Sequence, residues 1–325
     1  MRFALMIEPQ QGMNYADQLA IARRAEAGGF ETLFRSDHYS SFPGPDDNPT
    51  TDAWAVLAGL ARETSSIGLG TLVSPITFRS PGNLAKVVAT VDEMSGGRIE
   101  FGLGAGWNDI EHRRYGFPFP PIEDRADMLE EQLTILRGLW EEPDGWRFDG
   151  RHYQIDDARF RAKPGPRAQA RLKGREGGIR LIVGGDGTPR SLRIAARFAD
   201  EFNLSSSDPV RAADRYKRLD EACRAAGRDP ASISRSSMVG VLIGKDKAEL
   251  DRRTKELMHL LGVSSGGDAW LAERRSRWII GTPDEGRDVV RRYIDAGAER
   301  IMLQDFLPWD LGMVDLMASE LIGRI

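Results

Sequence analysis

Along the chain, short continuous apolar runs alternate with longer stretches in which apolar residues recur at the helical period. Residues 2–8 are apolar between Arg2 and Glu8, which suits a strand buried on both faces. Asn14 then stands where a helix N-cap belongs, with Asp17 three residues on as a variant capping box. Tyr15, Leu19, Ala22 and Ala25 trace the apolar stripe of that helix, which Gly28-Gly29 ends. The alternation repeats. Strands are expected at 30–35, 66–73, 98–103, 179–183, 199–204, 235–243 and 301–303. Helices are expected at 51–64, 80–97 and 123–141, then after Thr188, Asp208 and Thr282, and at the end of the chain. Ser80-Pro81, Thr188-Pro189, Asp208-Pro209 and Thr282-Pro283 each set a capping residue before a proline, whose missing N–H costs nothing at the first helical position. Residues 146–162 read as a small extended excursion, and 163–178 as a polar insertion rich in Gly, Pro, Arg and Lys.

Eight strands alternating with helices predict an α/β fold, a (β/α)8 TIM barrel, with 1–325 as a single domain and an insertion near 146–178. The rival, a doubly wound sheet, wants a phosphate fingerprint in its first strand–helix turn, and Glu8-Pro9-Gln10-Gln11-Gly12 has none. Composition then removes whole classes. The 325 residues are 41% hydrophobic, enough for a large core without staples. Cys223 has no partner for an intramolecular disulfide, which fits a reducing, cytoplasmic setting. No apolar run reaches membrane-spanning length, and Glu8 interrupts the N-terminal run too soon for a secretory signal. A net charge of −4 lacks the basic footprint of a nucleic-acid binder. The partner expected is a small-molecule substrate, with neither nucleic acid nor membrane.

Functional groups of a barrel gather at the C-terminal ends of its strands. There the chain places Glu8, then Arg35-Ser36-Asp37-His38, Leu72-Val73-Ser74, Gly104-Ala105-Gly106-Trp107-Asn108, Gly184-Gly185-Asp186-Gly187, and Gln304-Asp305. Of four histidines only His38 falls at a strand end, and imidazole is the side chain suited to giving or taking a proton near neutral pH. Asp37 reads either as the group that fixes its tautomer or as a cap for the following loop. Gly184 to Thr188, ahead of a proline-started helix, reads as an anion site or as an ordinary turn. Gly102, Gly104 and Gly106 clear alternate positions, which leaves room for a flat ligand bordered by Trp107, or reflects tight packing. Trp54, Phe78 and Tyr115 line a pocket or belong to the core. The basic residues of 163–178 form a solvated loop, a lid or a clamp for an anionic tail. No metal-ligand spacing is present, so no metal is expected. None of the seven lysines stands at a strand end, which removes Schiff-base aldolases.

The stretch Leu69-Gly-Thr-Leu-Val-Ser-Pro-Ile-Thr-Phe-Arg79, with Ser80-Pro81, Ala89-Thr90-Val91-Asp92 and Ser95-Gly-Gly-Arg98, resembles the luciferase-like monooxygenase superfamily. So do Gly102-Leu-Gly-Ala-Gly-Trp-Asn108, Glu111-His112, Tyr115-Gly116, Gly184-Gly185 and Gly281-Thr282-Pro283, and the likeness is strongest to the F420-dependent branch. The resemblance implies a barrel, commonly a homodimer, that binds F420, or alternatively FMN, at its C-terminal mouth. It implies that His38, with Asp37, is the acid/base. It implies a non-proline cis peptide at Leu72-Val73 and a cofactor-phosphate loop at Gly184, Gly185 and Thr188. One departure stands out. Sugar-phosphate dehydrogenases of this branch carry a glutamate where this chain has Trp107, and Glu8 is the acid available in its place.

The expected function is therefore hydride transfer between F420 and a small organic substrate. The alternatives are an FMN-dependent monooxygenase using O2 and a cofactor-binding barrel without turnover. His38, Asp37 and Glu8 are the expected catalytic residues. Leu72, Val73, Gly104, Gly106, Trp107, Asn108, Gly184, Gly185, Asp186, Gly187 and Thr188 are assigned to the cofactor, and Trp54, Tyr115 and Gln304 to the substrate pocket.

Overall fold

The computed structural model of the protein describes residues 1–164, 178–263 and 267–325. Its first half runs β1 (Arg2–Ile7), α1 (Tyr15–Ala27), β2 (Thr32–Arg35), α2 (Ala53–Glu63), β3 (Gly68–Pro75), α3 (Pro81–Ser95), β4 (Ile99–Gly104), α4 (Asp109–Tyr115) and α5 (Ile122–Glu141). A hairpin of β5 (Trp146–Asp149) and β6 (Gln154–Ala158) follows. The second half runs β7 (Arg180–Gly185), α6 (Pro189–Phe198), β8 (Glu201–Ser205), α7 (Pro209–Ala225), β9 (Ser234–Ile243), α8 (Lys247–Leu260), α9 (Gly267–Arg275), β10 (Ile279–Gly281), α10 (Pro283–Asp295), β11 (Arg300–Asp305) and α11 (Leu311–Leu321).

Strands β1, β2, β3, β4, β7, β8, β9 and β11 pair in parallel in that order, and β11 returns to β1. The sheet is thus closed, an eight-stranded (β/α)8 barrel. Short β10 lies parallel to the end of β9, with Ile279 opposite Val241. Every residue of β4 and β11 is buried, as strands covered by helices outside and by a packed lumen inside must be. The lumen is filled by Ala4, Met6, Phe34, Leu72, Ile182 and Met302.

Towards the N-terminal ends of the strands the filling becomes ionic. Arg300 lies 2.6 Å from Glu100, 3.4 Å from Glu201 and 3.2 Å from Glu31, while Arg180 meets Glu201 at 2.7 Å. Burial alone would raise the Glu201 carboxyl, but Arg180 and Arg300 outweigh it and hold that group below the usual carboxylate range. This end of the barrel is plugged by buried ion pairs.

The Asn14–Asp17 capping box forms, with 3.0 Å bonds in both directions. The stripe of α1 differs at two places: Gln18 and Ile21 are buried with Ala22 and Ala25, while Tyr15 and Leu19 are only partly buried. Gln18 is kept inside by its amide, which donates to Thr51 and accepts from Arg35 at 3.0 Å. Helices α4, α8 and α9 are additions to the predicted order. Most of the insertion 163–178, including Arg167, Arg171, Lys173 and Arg175, lies outside the described residues. Among the described residues, no helix is long and apolar enough to cross a membrane.

Candidate active site

The segment leaving β2 is held residue by residue. Ser36 donates its hydroxyl to Gln10 Oε1 at 2.5 Å. Asp37, 1% exposed, accepts from Arg79 at 2.6 Å and from the Ser74 hydroxyl at 2.7 Å. Arg79 also meets Asp52 at 2.5 Å, and the Tyr39 hydroxyl donates to the same carboxylate. Burial pushes the Tyr39 hydroxyl up, and the bond to Asp52 adds to this. Burial would raise Asp52 as well, but the charge of Arg79 and bonds from Tyr39 and Ala55 keep its carboxyl below the usual range.

Asp37 is therefore committed to Arg79 and Ser74 and does not orient His38. The acid beside His38 is Glu111 on α4, whose Oε1 lies 2.8 Å from Nδ1 while Oε2 accepts the Tyr39 backbone N–H at 3.0 Å. The His38 side chain is 13% exposed. Its ring meets Phe42 edge-on at 4.6 Å and Trp107 at 5.8 Å between centroids. The next nearest histidine in sequence, His112, is buried and has both nitrogens engaged, by the Asn108 carbonyl at 2.5 Å and the Thr77 hydroxyl at 2.6 Å. Among the described residues, nothing hydrogen-bonds to His38 Nε2.

Glu8 lies at the same end, buried, with each oxygen taken by an amide donor: Gln304 Nε2 at 2.5 Å and Gln10 Nε2 at 2.8 Å. Glu8 thus ties two glutamines together, and Gln304 is buried beside it at the end of β11.

The peptide bond Leu72-Val73 is cis. The glycines opposite it hold Val73: a Cβ added at Gly104 would come within 2.7 Å of Val73 Cγ2, and one at Gly184 within 2.9 Å of Cγ1. At Gly102 it would meet the Thr71 carbonyl at 2.3 Å. The space cleared by the alternating glycines is thus filled by the β3 segment, a correction to the flat-ligand reading of Gly102 and Gly104. Gly106 adopts φ +78° in the turn into α4.

The loop after β7 remains open. A Cβ on Gly185 would touch only Ser191, at 3.6 Å. Thr188 caps α6 by accepting from Ser191 N–H at 3.3 Å, and Asp186 accepts from Ser205 at 3.0 Å. Arg215 on α7 covers Gly187, whose added Cβ would meet Arg215 Cδ at 2.5 Å. The Arg215 Nε is buried without a hydrogen-bond partner. A helix start, open glycine backbone and an unsatisfied guanidinium donor are the features an anionic group fits.

Other predicted residues fall differently. Trp54 is a core residue of α2, 2% exposed, edge-on to Phe101 and donating to Ser74, so it is buried packing and not exposed pocket lining. Tyr115 is half exposed at the end of α4, against Tyr39 and Phe117. The Asn108 side chain caps α4 by accepting from Ile110 N–H at 3.2 Å. Trp107 is 67% exposed. Glu111 and Arg215 carry no role in the sequence reading; the spacing Asn108…Glu111 at a helix start is the signal for the first, and nothing local marks the second. Of metal-capable groups, Asp124, Asp127 and His152 come together on the surface, but Arg151 pairs with both acids, at 3.0 and 3.1 Å.

The profile of luciferase-like monooxygenases matches residues 1–300. An F420-dependent glucose-6-phosphate dehydrogenase of Intrasporangium calvum is 28% identical over 307 residues, 86% of each chain. The pyrimidine monooxygenase RutA of Stutzerimonas stutzeri is 27% identical over 288 residues, 86% of this chain and 73% of its own. Among solved structures, an F420-dependent secondary alcohol dehydrogenase in complex with an F420-acetone adduct superposes with a TM-score of 0.82 at 20% identity, covering 98% of this chain and 97% of that one. That last likeness is one of fold.

Proposed function

Because this chain belongs to the luciferase-like monooxygenase family, we propose that it is an F420-dependent oxidoreductase acting on a small organic substrate at the C-terminal mouth. The observation that carries this reading is His38: an imidazole on a pinned segment, flanked by Phe42 and Trp107, with Nε2 left unbonded among the described residues. Bound F420 would supply the two-electron hydride carrier. Gly184, Gly185, Gly187 and Thr188, with Arg215, are the residues that would hold its phosphate, and Val73 and Gly106 are those that would border its ring. His38 gives or takes the balancing proton, while Gln304, set by Glu8, and Trp107 shape the substrate side. With an indole at 107, the sugar phosphate of the Intrasporangium calvum relative is not carried over.

FMN fits the same anion loop, and the pyrimidine monooxygenase relative supports an O2-using chemistry as the second reading. We further place the protein in the cytoplasm as a homodimer; the lone, buried Cys223 supports a reducing compartment. Titration of the purified protein with F420 and with FMN, followed by fluorescence, tests the cofactor. F420 should bind at micromolar concentration or below, and failure of both ligands would sink the assignment. His38→Ala should keep F420 affinity and lose hydride transfer to a panel of alcohols and ketones by about 10²- to 10⁴-fold. Undiminished turnover would remove the proton role. Light scattering after gel filtration reads the oligomer.

A further inference from the structure

The geometry points to Glu111 as the positioning residue that selects the working nitrogen of His38; this rests on the reading of His38 given above. A carboxylate can only accept hydrogen bonds. With Oε1 2.8 Å from Nδ1, it obliges Nδ1 to carry the ring proton in the neutral imidazole, which leaves Nε2 as the atom that takes a proton from substrate or returns it. The second oxygen fixes the backbone of the next residue by accepting Tyr39 N–H at 3.0 Å. One buried carboxylate, 1% exposed, thus holds both the ring and the chain that bears it.

The surroundings leave the ring little freedom. Phe42 and Trp107 stand edge-on to it at 4.6 and 5.8 Å, and they also meet each other at 5.3 Å. Asp37 on one side is tied to Arg79 and Ser74, and Tyr39 on the other to Asp52. Glu111 itself lies on α4, whose start is fixed by the Asn108 cap and whose His112 is bonded at both nitrogens. A donor or acceptor held this way loses little freedom when the proton moves.

Substitution of Glu111 by glutamine separates positioning from packing. The amide would keep the shape of the carboxylate but present one oxygen and one NH2 to two donors, His38 Nδ1–H and Tyr39 N–H. If the oxygen faces Tyr39, the NH2 donates to Nδ1 and the ring proton moves to Nε2. If it faces His38, the Tyr39 N–H loses its acceptor. The chain has four histidines, so ¹⁵N-histidine spectra of the whole protein resolve the tautomer, with His38→Ala as the assignment. We expect the Nδ1–H form in the native protein and a shift of His38 toward Nε2–H in Glu111→Gln, with F420 affinity within about threefold. In turnover of the alcohol and ketone panel, kcat should fall by about 10- to 100-fold with KM little changed. Glu111→Asp, which keeps the charge but draws it back, should retain the Nδ1–H form and recover part of kcat; it also serves if Glu111→Gln fails to fold. A native Nε2–H tautomer, or a Glu111→Gln protein with unchanged tautomer and kcat, would overturn the proposal. The tautomer is read without cofactor, so failure of F420 to bind would count against the cofactor assignment and leave this test intact.

Discussion

Replacing Arg79 by Met tests whether Asp37 is a buried structural partner. In the native protein the Arg79 guanidinium is 10% exposed and meets Asp37 at 2.6 Å and Asp52 at 2.5 Å. Methionine follows much of the arginine stem, so the main loss is charge. Asp37 then keeps only the Ser74 hydrogen bond and the charge of nearby Arg35, and breaking one side of such a pair costs about 3–5 kcal/mol. At ~2.1 cal/mol/K per residue, unfolding 325 residues carries an entropy of about 0.7 kcal/mol/K, so Tm should drop by about 4–7 °C. Adding Asp37→Asn removes the orphaned charge and should restore about half of the loss, a coupling visible in a double-mutant cycle. Calorimetry of the four proteins gives every corner of that cycle. A drop below about 1 °C for Arg79→Met, or strict additivity with Asp37→Asn, would refute the pairing as the reason Asp37 is there.

Asp305 gives a pH dependence. Burial pushes its carboxyl up to about 7, opposed by the Leu307 N–H bond and aided by Asp310. The unfolded group titrates near ~3.9, so the native state holds the proton more tightly between those values. Its contribution is full below about pH 4 and is lost as pH rises through 7, up to about 4 kcal/mol. Asp305→Asn should flatten that slope and stabilise the protein at pH 8 in urea titrations; an unchanged slope between pH 5 and pH 8 would count against it. Gly102→Ala should cost about 1–3 kcal/mol and weaken F420 binding, because its Cβ would press on the Thr71 carbonyl and on Val73 Cγ1, which it would meet at 3.0 Å. Gly82→Ala, whose Cβ meets nothing within 4 Å, should change stability by less than about 0.5 kcal/mol. Equal effects of the two substitutions would dismiss the steric argument.

The barrel was legible because its signals are local. An apolar run, an N-cap three residues from its acid and a proline at the first turn all act within a few residues, and strand followed by helix recurs eightfold around one closed sheet. The same logic located the mouth, since strand polarity alone decides which end gathers the loops. The family motifs added the cis bond at Leu72-Val73, which the structure contains.

Partner choice lay beyond that reach. Asp37 stands next to His38 in the chain yet pairs with Arg79, 42 residues away, while His38 finds Glu111, 73 residues away. Adjacent residues leaving a strand point to different neighbours, so adjacency in sequence is poor evidence of contact. Trp54 reads equally well as pocket or core until α2 is seen to pack against Phe101. The alternating glycines show that bulk is missing, but only the pairing of β3 with β4 brings Thr71 and Val73 against Gly102 and Val73 against Gly104. Local pattern sufficed for the eight barrel strands and their order, though not for α4, α8 and α9. Which acid meets the imidazole, which meets a buried arginine and which guanidinium lies over Gly187 depend on distances across separate strand–helix units, and only packing sets those.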